Sequence, residues 1–298
     1  MTKVSIIIPN YNHYSFLEQR INSIFSQTFK NFELIILDDC STDNSIDLLN
    51  KFKKHPKVKH IILNNSNSGS PFKQWTKGIS LAEGEYIWIA ESDDFAEPEF
   101  LDRCLELLLK NPNAGLVYTD SNIIDNNLKI GEFKLRRQNN PIKWNTPYIK
   151  EGIIELEESL INNCTINNVS AVLFKKEAIS NCLNDIIKFR YAGDWLSYMI
   201  ICLKYDILYT PECLNNCRLH EDNLTKKSNH LYLGLRERIK ARQLIYHKLT
   251  AKHKTLRKKI DKLNKAELRA LTSGFINLKI GAKDYFKTLY AYLIKSNG

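Results

Sequence analysis

The sequence predicts an α/β fold with a mostly parallel central sheet, and two observations carry that prediction. Over the first 115 residues, short apolar and β-branched runs alternate with segments whose apolar residues recur at helical spacing. That is the pattern of parallel strands covered by helices. Two of the runs, FELIIL and YIWIA, pass directly into acids: Asp38 and Asp39 after the first, Glu91, Asp93 and Asp94 after the second. Parallel sheets bind ligands in the crevice beyond the carboxyl ends of their strands, so all five carboxylates are expected along one rim.

Taken in order, Lys3 to Ile8 reads as the first strand, stopped by Pro9. Residues 14–27 set Leu17, Ile21, Ile24 and Phe25 on one helical face. Phe32 to Leu37 is the second strand, and CSTDNS after its acids is a turn and helix start. Ser41 and Asp43 are candidate caps for a helix over 44–54. Val58 to Leu63 is the third strand, 72–82 a helix and Glu85 to Ala90 the fourth strand. Pro98 then opens a helix carrying Leu101, Leu105 and Leu108. Beyond residue 115 the alternation loosens. Leu116 to Thr119 and Val169 to Phe174 read as strands, a polar region extends to about residue 150, and 193–204 reads as a buried helix.

Composition sets the outer limits. The 298 residues suffice for one large domain or a domain with an extension. No apolar run is long enough to span a bilayer. The start, MTKVSIIIPN, has a short apolar run but no small-residue cleavage site. The chain is therefore expected to begin where the sequence does and to work in the cytoplasm. Seven scattered cysteines, odd in number and without zinc-site spacing, read as reduced and mostly buried thiols. The net charge of +10 is unevenly spread: residues 226–298 hold 19 Lys and Arg against 4 acids, residues 1–225 hold 24 against 29. That shift predicts a main domain over 1–225 and a basic helical extension over 226–298.

Acids at a strand end have two explanations. Asp after a strand caps the next helix or makes a turn, or a hard divalent cation takes the oxygens as ligands and offsets their repulsion. Mg²⁺ or Mn²⁺ bound by a few carboxylates and completed by substrate phosphates suits a rim with two acidic strand ends.

The segments SIIIPNYN, SIFSQTFKNFELIILDDCSTDNS, AEGEYIWIAESDDFAEPEFL and AGDWL follow one another in this order. As a set they resemble family 2 glycosyltransferases, which have the nucleotide-sugar-binding GT-A fold; the resemblance covers about residues 3–220. It implies that Pro9, Tyr11 and Asn12 line the nucleotide pocket and that Asp39 accepts a hydrogen bond from the base, most often uracil. It makes Glu91-Ser92-Asp93 the D-x-D motif. Asp93 would coordinate the ion bridging the donor diphosphate, Mn²⁺ or Mg²⁺, and Glu91 and Ser92 would lie by the ribose or the ion's water shell. Asp94 would hold the loop or a water ligand. Glu91 departs from the usual Asp by one methylene.

The same resemblance points to Asp194, before Trp195, as general base toward the acceptor hydroxyl. The alternative reading of Asp194 is the N-cap of the helix that follows. Cys217-Arg218-Leu219-His220 resembles the late Arg-x-His element, with His220 near the metal or diphosphate and Arg218 holding phosphate charge. Lys73 and Lys77 either approach the diphosphate or belong to a solvated helix face. Asp120 either touches a sugar or serves a turn. The implied reaction is a single displacement with inversion, from a nucleotide-sugar donor, UDP-sugar foremost, to a glycan or lipid-linked acceptor.

For the extension, RERIKARQLIYHKL and YFKTLYAYLI suggest either a basic amphipathic surface for anionic membrane or helices packed on the domain. The membrane alternative predicts a peripheral protein on the cytoplasmic face, released when 226–298 is deleted. No nucleic-acid module accompanies the charge, and no nucleic-acid partner is expected. Against the transferase stand a non-catalytic nucleotide-sugar-binding scaffold and, more distantly, a basic nucleic-acid binder. Turnover of a donor separates the first two.

Overall fold

In the computed structural model, which describes residues 4–136, 141–220 and 228–276, the apolar runs become the strands of one sheet. Strands β1 (Val4–Asn10), β2 (Phe32–Asp38), β3 (Val58–Leu63) and β4 (Tyr86–Ile89) are mutually parallel in the order β3-β2-β1-β4. Helices α1 (Tyr14–Phe25), α2 (Ser45–Phe52) and α3 (Pro71–Leu81) make the crossovers. Because side chains alternate across a strand, Ile7, Ile35, Leu37, Ile87 and Ile89 face one core, with Phe72 and Trp75 of α3. Val4, Ile6, Ile8, Leu34, Ile36 and Trp88 face a second core, with Leu17, Ile21 and Ile24 of α1. Burial on both faces explains why these strands read as unbroken apolar runs.

The second half of the sheet is mixed. After β5 (Phe95–Ala96) and α4 (Phe100–Lys110), β6 (Ala114–Asp125) turns at Asn126-Asn127 into β7 (Leu128–Glu132). Both asparagines have positive φ, 46° and 62°, the requirement of a tight primed hairpin turn and one that Asn tolerates. The supposed polar region thus begins with a hairpin. Short helices α5 (Phe133–Arg136) and α6 (Pro141–Asn145), strand β8 (Tyr148–Lys150) and helix α7 (Gly152–Glu155) follow. The expected strand from Val169 starts late, as β9 (Val172–Lys175), because the Asn168 side chain accepts the Ser170 N–H at 2.7 Å and winds 169–171 into a turn. Strand β9 runs antiparallel to both β4 and β6, so the sheet is parallel in its first four strands and mixed beyond.

Helices α8 (Lys176–Ser180), α9 (Leu183–Ile186) and α10 (Gly193–Cys202) lead to β10 (Asp206–Leu219), parallel to β6. Every residue of α10 except Asp194 is buried. The extension supplies α11 (Ser228–Lys248) and α12 (Lys254–Ile276). Ala241, Ile245, Leu249, Leu256 and Ile260 join the same core as Trp195 and Tyr198 of α10. The expected boundary near 225 and the segment 285–294 lie outside the described residues. Among the described residues no helix is long and apolar enough to cross a membrane.

Candidate functional site

The carboxyl ends of β1, β2 and β4 meet at one rim, as the strand-end acids require. Asp38 ends β2 fully buried. Its carboxylate accepts from Asn10 Nδ2 at 2.7 Å, Ser41 Oγ at 2.7 Å and Ser41 N–H at 2.8 Å. It thereby closes the turn at Cys40, a non-glycine residue at φ 66°. Ser41 also accepts the Asn12 N–H at 2.9 Å, and Asn12 Oδ1 accepts the Thr42 N–H at 2.7 Å, with Asn12 at φ 56°. Pro9 lies buried in β1 and Tyr11 is exposed at the mouth.

Asp39 is the most heavily bonded of these acids. It accepts from Asn64 Nδ2 (2.7 Å), Gln74 Nε2 (2.7 Å), Ser68 Oγ (2.7 Å) and the Ser68 N–H. The loop 64–70 is folded onto it, and Lys73 and Lys77 serve that loop, donating to Ser68 O and Asn64 Oδ1, each at 2.8 Å.

Beyond β4 the acids separate by partner. Glu91 Oε1 accepts from Trp75 Nε1 at 3.0 Å, and its backbone N–H donates to Ser170 Oγ at 3.1 Å. Burial, then the charge of Asp93, pushes its carboxyl up to about 8. Asp94 accepts from Asn168 Nδ2 at 2.8 Å and the Arg218 N–H at 3.2 Å, and burial raises it to about 6. Asp93 accepts from His220 Nε2 at 3.0 Å. Burial presses its carboxyl upward, but the His220 hydrogen bond and the two nearby imidazoles outweigh it and hold Asp93 below its ordinary value. Arg218 donates to Asp93 O at 2.6 Å and to Gln19, and its guanidinium faces Phe95 at 4.6 Å and Phe16 at 5.2 Å. In this structure it serves the acid loop.

Two cations or ligands here escaped the sequence reading. His13 Nδ1 pairs with Ser92 Oγ at 2.8 Å, and His13, Asp93 and His220 bring one ligand atom each within 4.8 Å of one another. Its signal was its place directly after Pro-x-Tyr-Asn. Arg20 lies fully buried under the acids, donates to Glu91 O at 3.0 Å and faces Trp88 at 5.1 Å. Burial lowers it to about 10 while Asp94, Asp93 and Glu91 favour its charge. A charge at position 20 within the stripe of Leu17, Ile21 and Ile24 was the readable sign.

Asp194 stands in the first turn of α10, with Ala192 as the N-cap, so it is not the cap itself. Its Oδ1 accepts the Trp195 N–H at 2.7 Å, and burial raises its carboxyl to about 6. Helix α3 joins it to the acid rim: Trp75 holds Glu91, and Phe72 lies so close to Gly193 that an added Cβ would come within 2.7 Å of its ring. One turn beyond Asp194, the buried Tyr198 hydroxyl feels both the Asp194 and Glu91 charges. Asp120 belongs elsewhere, to a group with Glu132 and Cys213, where it accepts the Lys134 N–H at 2.9 Å.

Residues 5–170 match the family model described as glycosyl transferase family 2. A putative teichuronic acid biosynthesis glycosyltransferase, TuaG of Bacillus subtilis, is 33% identical over 37% of this chain and 44% of its own length. An uncharacterized glycosyltransferase of Haemophilus influenzae is 26% identical over 82% of this chain and 74% of its own. The first three relatives are matched over only 39–52% of their length. Among solved structures, S. aureus TarS 1-349 in complex with UDP-GlcNAc superposes with a TM-score of 0.69 at 19% identity, covering 98% of this chain and 81% of that one. Mannosyltransferase PcManGT from Pyrobaculum calidifontis, in complex with GDP-Man and Mn²⁺, gives 0.58 at 16%, covering 99% and 86%.

Proposed function

The chain belongs to glycosyl transferase family 2 and has the GT-A fold, and from that premise we propose that it is an inverting transferase. It moves a sugar from a nucleotide-diphosphate donor, UDP-sugar foremost, to a hydroxyl of a glycan or lipid-linked acceptor. The observation that carries the proposal is the joining of two chemistries by α3. An acid and imidazole group at the end of β4 is bridged to the half-buried Asp194, the one residue of α10 that is not fully buried.

In this reading Asp194 accepts the acceptor hydroxyl proton as the oxygen attacks the anomeric carbon. Its elevated pKa, about 6, leaves it a competent base near neutrality. Pro9, Tyr11, Asn12 and Asp39 line the nucleotide pocket, with Glu91 and Ser92 beside the ribose; Asp39 reaches a base only by exchanging one of its present donors. Asp93, His220 and His13 fit a divalent cation, because their ligand atoms converge within 4.8 Å and mix carboxylate with imidazole. That donor set suits Mn²⁺ better than the harder Mg²⁺. When bound, the ion stabilises charge on the leaving diphosphate as a Lewis acid. Arg20 beneath the loop keeps three acids together before any ligand arrives. The relatives named for teichuronic acid and for a poly(ribitol-phosphate) β-glucosyltransferase support a place in surface-polysaccharide synthesis.

The test is a panel of UDP-sugars by thermal shift with and without Mn²⁺, followed by turnover on each hit. Mn²⁺-dependent stabilisation that Asp93→Ala removes, with release of UDP on adding acceptor, is the expected result. Binding without turnover across the panel would instead support a nucleotide-sugar-binding scaffold.

For the extension we propose peripheral association with the anionic cytoplasmic face of a membrane. Lys254, Lys258, Lys262, Lys265 and Arg269 are exposed along α12 at helical spacing, while Leu256 and Ile260 are buried in the core. Deletion of 226–298 would also strip Ala241, Ile245 and Leu249 from the core. Reversal of the five charges to Glu is therefore the cleaner test, and unchanged sedimentation with anionic vesicles would sink the idea.

A further inference from the structure

We propose that Glu237, on α11, is a positioning residue for the transfer reaction: its carboxylate fixes the backbone that presents Asp194. The inference rests on the reading of Asp194 as base. Glu237 Oε1 accepts the Arg190 N–H at 2.9 Å, and Oε2 accepts those of Tyr191 at 2.7 Å and Ala192 at 2.9 Å. One carboxylate thus holds three consecutive backbone donors ending at the N-cap of α10, and Asp194 follows two residues later.

The local sequence leaves the start of α10 without a cap side chain. The first N–H groups of a helix have no partner within it, and a Ser, Thr, Asp or Asn at the cap ordinarily supplies one. Here the cap is Ala192, which offers no side-chain acceptor. Asp194 itself accepts the Trp195 N–H of the first turn, while Glu237, 45 residues beyond Ala192, accepts the N–H of the cap residue and of the two before it, placing an anion at the positive end of α10. The same face of α11 also grips the residue after Asp194. The guanidiniums of Arg242 and Arg238 face the Trp195 ring at 5.0 and 5.6 Å, and Glu267 of α12 holds both, at 2.8 and 2.9 Å. Arg242 also donates to Ile161 O at 2.9 Å, while Trp195 Nε1 donates to Leu160 O at 2.7 Å. From the opposite side Ser70 Oγ donates to Phe189 O at 2.6 Å. Asp194 therefore sits in a backbone segment held on one side by α11 and on the other by the start of α3. Both Glu237 oxygens are occupied by backbone, so it acts through Asp194 and not on substrate.

The experiment uses the full chain with Glu237→Ala and Glu237→Gln. Hydrogen exchange of peptides covering 189–194 needs no donor and should quicken at least about tenfold in Glu237→Ala. With whichever UDP-sugar the unaltered protein turns over, kcat should fall about 10- to 100-fold, the scale of an ångström-sized misplacement. Mn²⁺-dependent UDP binding and donor KM should stay within about twofold. Glu237→Gln, keeping one accepting oxygen, should fall between. Unchanged exchange, a kcat within about twofold, or loss of UDP binding in step with kcat would each overturn the proposal. Asp194→Asn is measured alongside: full transfer by that variant defeats the base assignment, while the exchange result reports on Glu237 alone.

Discussion

The two ends of the candidate site are built differently. At the carboxyl ends of β1 and β2 the acids are held from within the first 74 residues: Asp38 by Asn10 and Ser41, Asp39 by Asn64, Ser68 and Gln74. At the head of α10, Asp194 is held by residues from remote parts of the chain, Glu237 through backbone, Arg242 through Trp195 and Phe72 through Gly193. The acid loop after β4 lies between the two, with local acids but distant partners in Asn168, Arg218 and His220. On the proposed reading the strand-end half binds the donor, and its acids are already held in place without a ligand. With Asp194 as the proposed base, α11 and α12 belong to the active region.

That contrast can be broken at several points, and the largest effect belongs to Asp194. Asp194→Asn should lower kcat by about 10²- to 10⁴-fold, the range of a lost general base, with UDP binding in Mn²⁺ nearly unchanged. In the unaltered enzyme the same carboxyl, near 6, should give kcat/KM an acid limb that falls below about pH 6 as the base becomes protonated. Parallel loss of binding and turnover would show that the two ends are not separable.

His220→Ala comes next. It should weaken Mn²⁺ by about 10- to 100-fold, by analogy with the loss of supporting groups around metals, read by calorimetric titration of the ion into the UDP complex. An unchanged affinity would confine His220 to its hydrogen bond with Asp93.

Gly193→Ala probes the contact between the halves. The new methyl meets the Phe72 ring within 2.7 Å, and overpacking of this kind costs about 1–3 kcal/mol, measurable by urea unfolding. No loss of stability would mean that α3 and α10 part more easily than their packing implies.

The last effect concerns the acid loop after β4 with no metal bound. The Glu91 carboxyl is raised from its ordinary value to about 8, so the folded state binds more protons than the unfolded chain between about pH 4.5 and 8. The stabilisation is full below that window and is lost as pH rises through it. Tm of the metal-free protein should therefore decline from pH 5 to 8, and Glu91→Gln should flatten the slope.

The sequence by itself determined the first four strands, the helices between them and the acids at the strand ends. Those follow from apolar runs, crossover helices and strand ends, which are properties of neighbouring residues. His13 and Arg20 were within reach of the same reading, one beside a motif and the other a charge in an apolar stripe. Only the tertiary structure decided the antiparallel entry of β9, the closure of the 64–70 loop on Asp39 and the pairing of His220 with Asp93. It also decided the capture of 190–192 by Glu237. Each of these joins residues distant along the chain, and their pairing depends on which faces the core brings together. Residue type announces that a carboxylate or an imidazole is present; packing alone settles what it faces.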